Sequence, residues 1–545
     1  MLKRVLLWFG LSAGVFGGEI TLEYLKNQPM GVARDFYIWY FIDQKDTSLE
    51  DAKMAYELVF KKTPRIQKAM EKKGVIHEMP RNIYCKNLSI AALQKEDAEC
   101  ISYGLKLSSV GELKPSDVAV FLKKLKDEQP ELYEQVQILS SKDVLGALMQ
   151  TSAKNFAAIF TGLNYGQKTT LLESKKLDTK AMVRILEEND PAFNRVVGVM
   201  ILDSKFDAMK RVLGEIEVAK SDTNTFFLLG INDLMLENPK KALYYFKKSQ
   251  DTAYDPFMRD RALFWQYLIS EDESYLKELA QSTFVDIFSI YANQKLKTTP
   301  KYEVISSFDE NLAQPNKMDI TNPFAWQIKR NEITKLEGKE YEDALKQFLH
   351  PETLPHYLFF LNRQYRYKHN YFIFAYDDPK MWRNDEQKAM TYAIARQESH
   401  LLPALISSSY ALGMMQIMPF NVAPFAKEMG LKGITLFDMF KPQMALKFGS
   451  FFLDQLNREF KHPLFVAYAY NGGPGFLRRT LERKRLFLKG RKYEPWLSME
   501  LLPYEESRFY GMKVLANYFI YAQMLKQDID LESLLQKTII FEKGK

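Results

Sequence analysis

Apolar residues recur at helical spacing along most of the first three hundred residues. The stretch that opens at Ser48 has Asp51 at capping-box spacing, and Ala52, Ala55 and Val59 follow three and four residues apart. Similar patterns occur at 115–127, 177–188 and 275–281. The alternation of apolar and polar residues that is typical of strands is scarce. The sequence therefore predicts a helical region from about residue 45 to 297.

Residues 226–249 predict a helix-turn-helix unit within this region. Two short amphipathic helices meet at Asn238 and Pro239, and the second places Ala242 and Phe246 on one apolar face. Units of this length stack into solenoids. No clean period repeats along the chain, so we predict an irregular α-superhelix rather than a regular repeat array.

The composition shifts after this region. Pro300, Pro315 and Pro323 interrupt residues 298–323, which indicates a boundary or a long connection, and Tyr376–Lys380 has the character of a hinge. A chain of 545 residues is also too long for one hydrophobic core. The predicted domains are a signal peptide at 1–18, one or more α-superhelical domains at 19–297, a helical linker domain at 298–375 and a last domain at 376–545.

The first 18 residues have the layout of a secretory signal peptide. Lys3 and Arg4 precede an apolar stretch over residues 5–16, and small residues follow it. The alternative is an N-terminal membrane anchor, for which the apolar stretch is short. We expect export, with cleavage after Gly17 or Gly18.

The chain has two cysteines, Cys85 and Cys100. An exported protein enters an oxidising compartment where nearby thiols pair, so we expect a disulfide between them; two buried free thiols are the alternative. Neither cysteine has CxxC spacing or the Cys/His spacing of a zinc site, and no metal or cofactor is expected.

The net charge of +7 is unevenly placed. Residues 478–492 contain eight basic side chains and one glutamate, a run that can bind an anionic polymer. A solvated helix face explains the run equally well. No nucleic-acid-binding motif accompanies it, and export argues against a nucleic-acid partner.

The last domain contains a conspicuous carboxylate, Glu398. Asn384 is a natural N-cap for a helix in which Met390, Ile394 and Glu398 share one stripe at i, i+4 and i+8. Glu398 should then point toward the packed side at the helix C-terminus, where burial and the helix dipole both disfavour a charged carboxylate. A carboxyl group kept protonated near neutral pH suits the general acid of glycoside cleavage. The alternative is a glutamate that leans into water at a fraying helix end.

Polar groups follow Glu398 at two places. Ser407 and Gln416 offer a hydroxyl and an amide that suit the hydroxyl and N-acetyl groups of sugars. Further along, two glycines break a predicted helix and leave Tyr470 and Asn471 in a turn.

Three motifs in this order resemble the soluble lytic transglycosylases. They are ARQES with a later serine and GMMQIMP, then AYNGGPG, then LPYEESRFY, and together they extend over about 115 residues. This family consists of periplasmic enzymes that cleave peptidoglycan with a lysozyme-like catalytic domain. By the resemblance, Glu398 is the catalytic residue. The substrate-binding residues that the resemblance implies are Ser407, Gln416, Met418, Tyr470, Asn471 and Glu506.

The resemblance also implies the fold and the reaction. The fold class is mainly α: an α-superhelical N-terminal region, which family members close into a ring, precedes a lysozyme-like catalytic domain. The reaction cleaves the β-1,4 bond between N-acetylmuramic acid and N-acetylglucosamine without water and leaves a 1,6-anhydro sugar. The implied partners are peptidoglycan strands and muropeptides, with other cell-wall enzymes as further candidates, and a monomer is expected.

The motifs depart from the family pattern at three positions. Tyr410 and Gly472 stand where the family has glycine and alanine, and Ser507 replaces a threonine. The exchange at Tyr410 predicts a different shape for its loop.

Two other functions stay open on the sequence. A hydrolytic muramidase of goose-lysozyme type would use Glu398 with a water molecule. A non-catalytic scaffold would bind wall polymer or another protein through its solenoid.

Overall fold

The chain folds mainly into α helices. In the computed structural model the described residues are 20–75, 80–173, 177–308 and 318–542, with the side chains of 541 and 542 left out. The predicted signal peptide at 1–18 lies outside these residues. The mainly α fold class predicted from the sequence is confirmed. Within the described ranges, no helix is both long enough and apolar enough to cross a membrane.

The helices before residue 80 are α1 (Leu22–Lys26), α2 (Val32–Asp43), α3 (Leu49–Glu57) and α4 (Pro64–Lys72). Those that follow, up to residue 296, are α5 (Arg81–Lys86), α6 (Ile90–Leu93), α7 (Ala98–Gly104), α8 (Leu107–Val110), α9 (Pro115–Leu125), α10 (Pro130–Leu139), α11 (Val144–Gln150), α12 (Ala153–Gly162), α13 (Tyr165–Leu172), α14 (Thr179–Glu187), α15 (Pro191–Leu202), α16 (Asp207–Glu215), α17 (Thr223–Met235), α18 (Pro239–Asp251), α19 (Pro256–Ser270), α20 (Glu273–Leu279) and α21 (Ile287–Leu296).

The later helices are α22 (Pro323–Ile333), α23 (Gly338–Leu345), α24 (Leu354–Gln364), α25 (Asp385–Ser399), α26 (Pro419–Glu428), α27 (Pro442–Phe460), α28 (Pro463–Gly472), α29 (Pro474–Glu482), α30 (Trp496–Glu500), α31 (Glu505–Met524) and α32 (Leu531–Gln536). Short 3-10 helices cover Lys346–Phe348, Pro379–Met381 and Leu436–Phe440. Strand β1 (Val304–Ile305) pairs in parallel with β2 (Asn370–Tyr371), and β3 (Leu488–Lys489) with β4 (Phe541–Glu542).

The described residues pack into two compact units, each assembled from three segments of the chain. The first unit takes the described parts of 1–77, 303–475 and 510–529. The second takes those of 78–302, 476–509 and 530–545. The domain boundaries predicted at residues 297 and 375 stay a prediction.

The second unit is built largely from helices that pack on their neighbours in sequence, as in a solenoid. Helices α17 to α21 pack successively in this way. The predicted helix-turn-helix corresponds to α17 and α18: the Asn238 side chain caps α18, and Ala242 and Phe246 are fully buried. Cys85 in α5 and Cys100 in α7 are fully buried and form the expected disulfide.

The first unit combines the N-terminal helices with helices from the predicted last domain. Helix α25 packs on α27, which also contacts α26 and α28. From α2, Phe36 and Tyr37 pack their rings against Phe437, with centroids 6.3 and 5.1 Å apart. The contribution of residues 20–75 to the unit that contains Glu398 was not predicted from the sequence.

Candidate active site

Helix α25 carries Glu398 from the core to the surface. The Asn384 side chain accepts a hydrogen bond from the Gln387 N–H at 2.9 Å, which caps the helix start. Met390 and Ile394 are buried, as the stripe predicted, and Glu398, one turn further on, is partly exposed. The helix ends at His400, which has a left-handed φ of 51°. The carboxyl group is thus attached to a rigid element while remaining accessible.

Two tyrosines lie beside this carboxyl group. The Tyr510 hydroxyl donates a hydrogen bond to Glu398 Oε1 at 2.6 Å, and Tyr510 is itself buried. Burial and the Glu398 charge raise the pKa of Tyr510 well above its ordinary value, and the same two causes raise the pKa of Tyr470. Both phenols therefore stay protonated at neutral pH and can act as hydrogen-bond donors.

Helix α31 places Tyr510 against α25. Further along α31, Asn517 accepts a hydrogen bond from Arg396 Nη1 at 2.7 Å, and the Tyr521 hydroxyl donates to the Ile373 carbonyl at 3.2 Å. Tyr510 is the last residue of the LPYEESRFY motif, but no role for it was predicted from the sequence. Its place in that motif was the one indication of a functional role. No local sequence pattern predicts a contact between Tyr510 and Glu398, which lies 112 positions earlier.

A loop over residues 405–417 lies next to this group. The Ser399 hydroxyl donates to the Met414 carbonyl at 2.8 Å, and the Tyr470 hydroxyl donates to the Met415 carbonyl at 2.6 Å. The loop approaches Met439 closely at Gly413, where a Cβ atom would lie 1.9 Å from the Met439 carbonyl oxygen. Gly413 also has a φ of 70°, so glycine is required there on both counts.

The loop contains two of the predicted substrate-binding residues. Ser407 Oγ accepts a hydrogen bond from the Ala411 N–H at 3.0 Å, and the hydroxyl is partly exposed. Gln416 Nε2 donates to the Gly413 carbonyl at 2.7 Å, so this amide stabilises the loop itself. Met418 follows the loop as the partly exposed N-cap residue of α26.

The remaining two predicted residues lie near helix ends. Asn471 is partly exposed in the last turn of α28 and precedes Gly473, which ends the helix with a φ of 84°. Glu506 is exposed in the first turn of α31, in the part of that helix that packs within the second unit. The structure thus brings Glu398 together with Tyr470 and Tyr510. The substrate-binding roles stay predictions.

Among the described residues, no group of three or more His, Cys, Asp or Glu side chains is placed to hold a metal ion.

A partly exposed glutamate at the end of α25, hydrogen-bonded to the Tyr510 phenol and close enough to Tyr470 to raise the pKa of that phenol, defines a candidate acid–base site. Residues 357–490 match the family model of the transglycosylase SLT domain, so the chain contains a transglycosylase SLT domain. This match confirms the resemblance to the soluble lytic transglycosylases that the three motifs indicate.

Curated relatives match over about a quarter of the chain. The soluble lytic murein transglycosylase of Escherichia coli K12 is 30% identical over 150 residues, which are 27% of this chain and 22% of that protein. A putative soluble lytic murein transglycosylase of Haemophilus influenzae is 31% identical over 140 residues, or 26% and 23% of the two chains. The matches thus cover less than a quarter of each relative's length.

Two solved structures are similar over more of the chain but at low identity. An inactive variant of the lytic transglycosylase Slt from Pseudomonas aeruginosa gives a TM-score of 0.45 at 16% identity and covers 94% of this chain and 81% of that one. The 70 kDa soluble lytic transglycosylase of Escherichia coli gives 0.43 at 16% identity, with 95% and 84% covered.

Proposed function

We propose that this protein is a lytic transglycosylase that acts on peptidoglycan in the periplasm and serves cell-wall turnover and remodelling. The observation that carries the proposal is the Glu398 carboxyl group at the end of α25, which lies within the residues that match the transglycosylase SLT domain and accepts a hydrogen bond from the Tyr510 hydroxyl at 2.6 Å. The two phenols beside this carboxyl group keep their protons, so Glu398 is the residue of this group that can both donate and accept one.

The proposed reaction uses Glu398 twice. As an acid, its carboxyl group protonates the glycosidic oxygen that leaves from the anomeric carbon of N-acetylmuramic acid. The resulting carboxylate then takes the proton from the 6-hydroxyl of the same sugar, and that oxygen attacks the anomeric carbon. A 1,6-anhydro ring forms, the proton returns to Glu398 and no water is consumed.

This route explains how one carboxylate suffices. Ordinary glycosidases need a second carboxylate as nucleophile or as the base that activates water. Here the nucleophile belongs to the substrate and is already held at the reacting carbon. Tyr510 supports the ionised carboxylate between the two proton transfers, because a phenol that keeps its proton can donate to that carboxylate throughout. Ser407 is assigned to hold the sugar.

Glu398→Gln tests the proposal directly. An amide of the same shape can neither give nor accept the proton, so the rate of turnover of purified sacculi should fall by a factor of about 100 or more. Glu386→Gln is the matched control, since Glu386 is an exposed glutamate in the first turn of the same helix. Substantial turnover by Glu398→Gln, with the fold intact by circular dichroism, would contradict the assignment.

A further inference from the structure

The tip of the 405–417 loop is held by the N-terminal helices α2 and α4. We propose that Tyr410 clamps this loop to those helices and thereby acts as a positioning residue for Ser407 in glycan binding. The part that concerns glycan binding rests on the proposed function, and the clamp itself does not.

The backbone at Tyr410 favours glycine rather than tyrosine. Its φ of 64° lies in the left-handed region, which is unfavourable for residues that carry a side chain. The Tyr410 side chain is nevertheless packed inside the protein, with only 3% of the residue exposed. Its N–H donates to the Ser407 carbonyl at 2.8 Å, and the Ser407 N–H donates to the Ala411 carbonyl at 3.0 Å. Tyr410 and Ser407 therefore belong to one hydrogen-bonded turn, and fixing one fixes the other.

The Tyr410 ring is enclosed by residues from the N-terminal helices. Phe36 and Trp39 of α2 place their ring centroids 5.5 and 5.7 Å from it. The Arg65 guanidinium of α4 lies 5.1 Å from the Tyr410 centroid and 5.6 Å from that of Trp39. Side-chain packing of this extent explains how an unfavourable backbone conformation is retained.

A hydrogen bond adds a second attachment at the same place. Arg65 Nη1 donates to the Ser409 carbonyl at 2.9 Å, next to Tyr410 in the chain. The other side of the loop is held separately, through the Met414 and Met415 carbonyls. Loss of the clamp should therefore loosen the turn that contains Ser407 and leave the Met414 side in place.

Amide hydrogen exchange on the full-length chain tests the clamp without reference to activity. Tyr410→Gly, which relieves the left-handed backbone, and Arg65→Met should each speed exchange in residues 405–411 about tenfold, the effect of losing roughly one net hydrogen bond or more. Tyr410→Phe keeps the ring and should match the parent. Lys526→Gly is the control for backbone relief, because Lys526 is exposed with a φ of 60°. Arg65→Met leaves the core intact. If residues 405–411 exchange at the parent rate in this variant, the proposed clamp is contradicted.

Binding of soluble, uncrosslinked glycan strands by the Glu398→Gln protein then tests the link to Ser407. Tyr410→Gly should weaken binding by up to about fivefold, the effect of losing one positioning hydrogen bond of about 1 kcal/mol, and by much less when Ser407 is already alanine, because coupled residues are not additive. Full additivity would show that Tyr410 does not act through Ser407. Absence of glycan binding and turnover by the parent chain would count against the proposed function, and the exchange experiment would still decide the clamp.

Discussion

In the proposed reaction, one hydrogen bond to the Glu398 carboxyl group serves two successive proton transfers. The Tyr510 hydroxyl donates to Oε1 at 2.6 Å, and a bond to a charged acceptor is worth about 1.5–3 kcal/mol. Tyr510→Phe should therefore keep the fold and lower kcat on soluble glycan strands by a factor of about 10 to 100. Steady-state rates with intact near-ultraviolet circular dichroism are the measurement. A kcat equal to that of the parent would remove Tyr510 from the mechanism.

Ser407 and Tyr470 should give smaller losses than Glu398. Ser407→Ala and Tyr470→Phe each remove a positioning hydrogen bond of about 1 kcal/mol, or roughly fivefold in kcat/KM. The Tyr470 bond is made to the Met415 carbonyl, so its loss acts through the loop. If either variant were as inactive as Glu398→Gln on the same strands, the assignment of roles would be wrong.

The sequence allowed Glu398 to be found but not its surroundings. Helical periodicity placed Met390 and Ile394 in the core and brought Glu398 onto their stripe, because that relation is local. Tyr510 comes from a helix more than a hundred residues later, and no spacing rule predicts such a contact. Gln416, predicted to bind sugar, donates a hydrogen bond to the Gly413 carbonyl within its own loop. This hydrogen bond depends on the geometry of the turn, which the sequence pattern does not reveal.

On α17, the carboxylate of Asp233 makes the stability of the helix pair α17–α18 depend on pH. Asp233 is fully buried and, among the described residues, neither of its oxygens has a hydrogen-bond partner. Burial raises its pKa to about 7 from an ordinary 3.8. Because its pKa is raised in the folded state, Asp233 stabilises the fold at pH values below the pKa that it has in the unfolded chain. That contribution is lost as the pH rises from about 4 to about 7.

Asp233→Asn should remove this dependence. The variant should be more stable than the parent at pH 8, with about 1.4 kcal/mol expected for each unit of pKa shift, and close to it at pH 4. Urea unfolding at the two pH values is the measurement. Asp251→Asn, an exposed change on α18, is the control. A parent and variant with the same pH profile would contradict the account.

The disulfide between α5 and α7 should be a substantial source of stability. Its cysteines are 15 residues apart, for which the chain-entropy model gives about 3 kcal/mol. Replacing both with alanine should lower the free energy of unfolding by that amount. Titration of unreduced, denatured parent protein should find no reactive thiol. Two reactive thiols per chain would show that the bond does not form.

Helices and their caps were predictable where the evidence is local. Ser48 and Asn384 each cap the helix that the pattern assigned to them, and Asn238, predicted only as the junction of two helices, caps the second of them. The packing partner of α2 was not predictable, since Phe36 meets Tyr410, Phe437 and Phe440 through aromatic contacts. Apolar rings carry no directional signal in a sequence, so only the fold shows which rings meet.

At the scale of the whole molecule, the second unit does not contain Glu398, Tyr470 or Tyr510, so we expect it to have a role other than catalysis. Its described residues line a groove of about 750 Å³ that includes Asn194, Arg195, Val199, Asn224 and Tyr254. Tyr254 is 79% exposed and offers a ring face to a sugar. We expect this groove to retain long glycan strands, which raises the effective concentration of the next bond to be cleaved.

Tyr254→Ala separates polymer capture from catalysis. The rate on intact sacculi should fall several-fold, as expected for the loss of one stacking contact of about 1 kcal/mol, while the rate on short muropeptides should not change. Tyr84→Ala, an exposed tyrosine on α5 outside the groove residues, is the matched control. Equal losses on the two substrates would mean that the groove does not capture polymer.

A fragment limited to residues 376–545 is a poor substitute for the full chain in such experiments. It lacks α2 and α4, and with them Phe36, Trp39 and Arg65, which enclose Tyr410. It should therefore unfold at a lower temperature and with less cooperativity than the full chain, by calorimetry. A fragment as stable as the first unit of the full chain would show that the N-terminal helices contribute little to the Glu398 site.

The mass of the products tests the central claim most directly. The full-length protein, incubated with purified sacculi, should release muropeptides that end in 1,6-anhydro-N-acetylmuramic acid and are lighter by one water than the products of a muramidase. Glu398→Gln should release none. Products that carry the added water would identify a hydrolytic muramidase, and the absence of any product from the parent would contradict the enzymatic function itself.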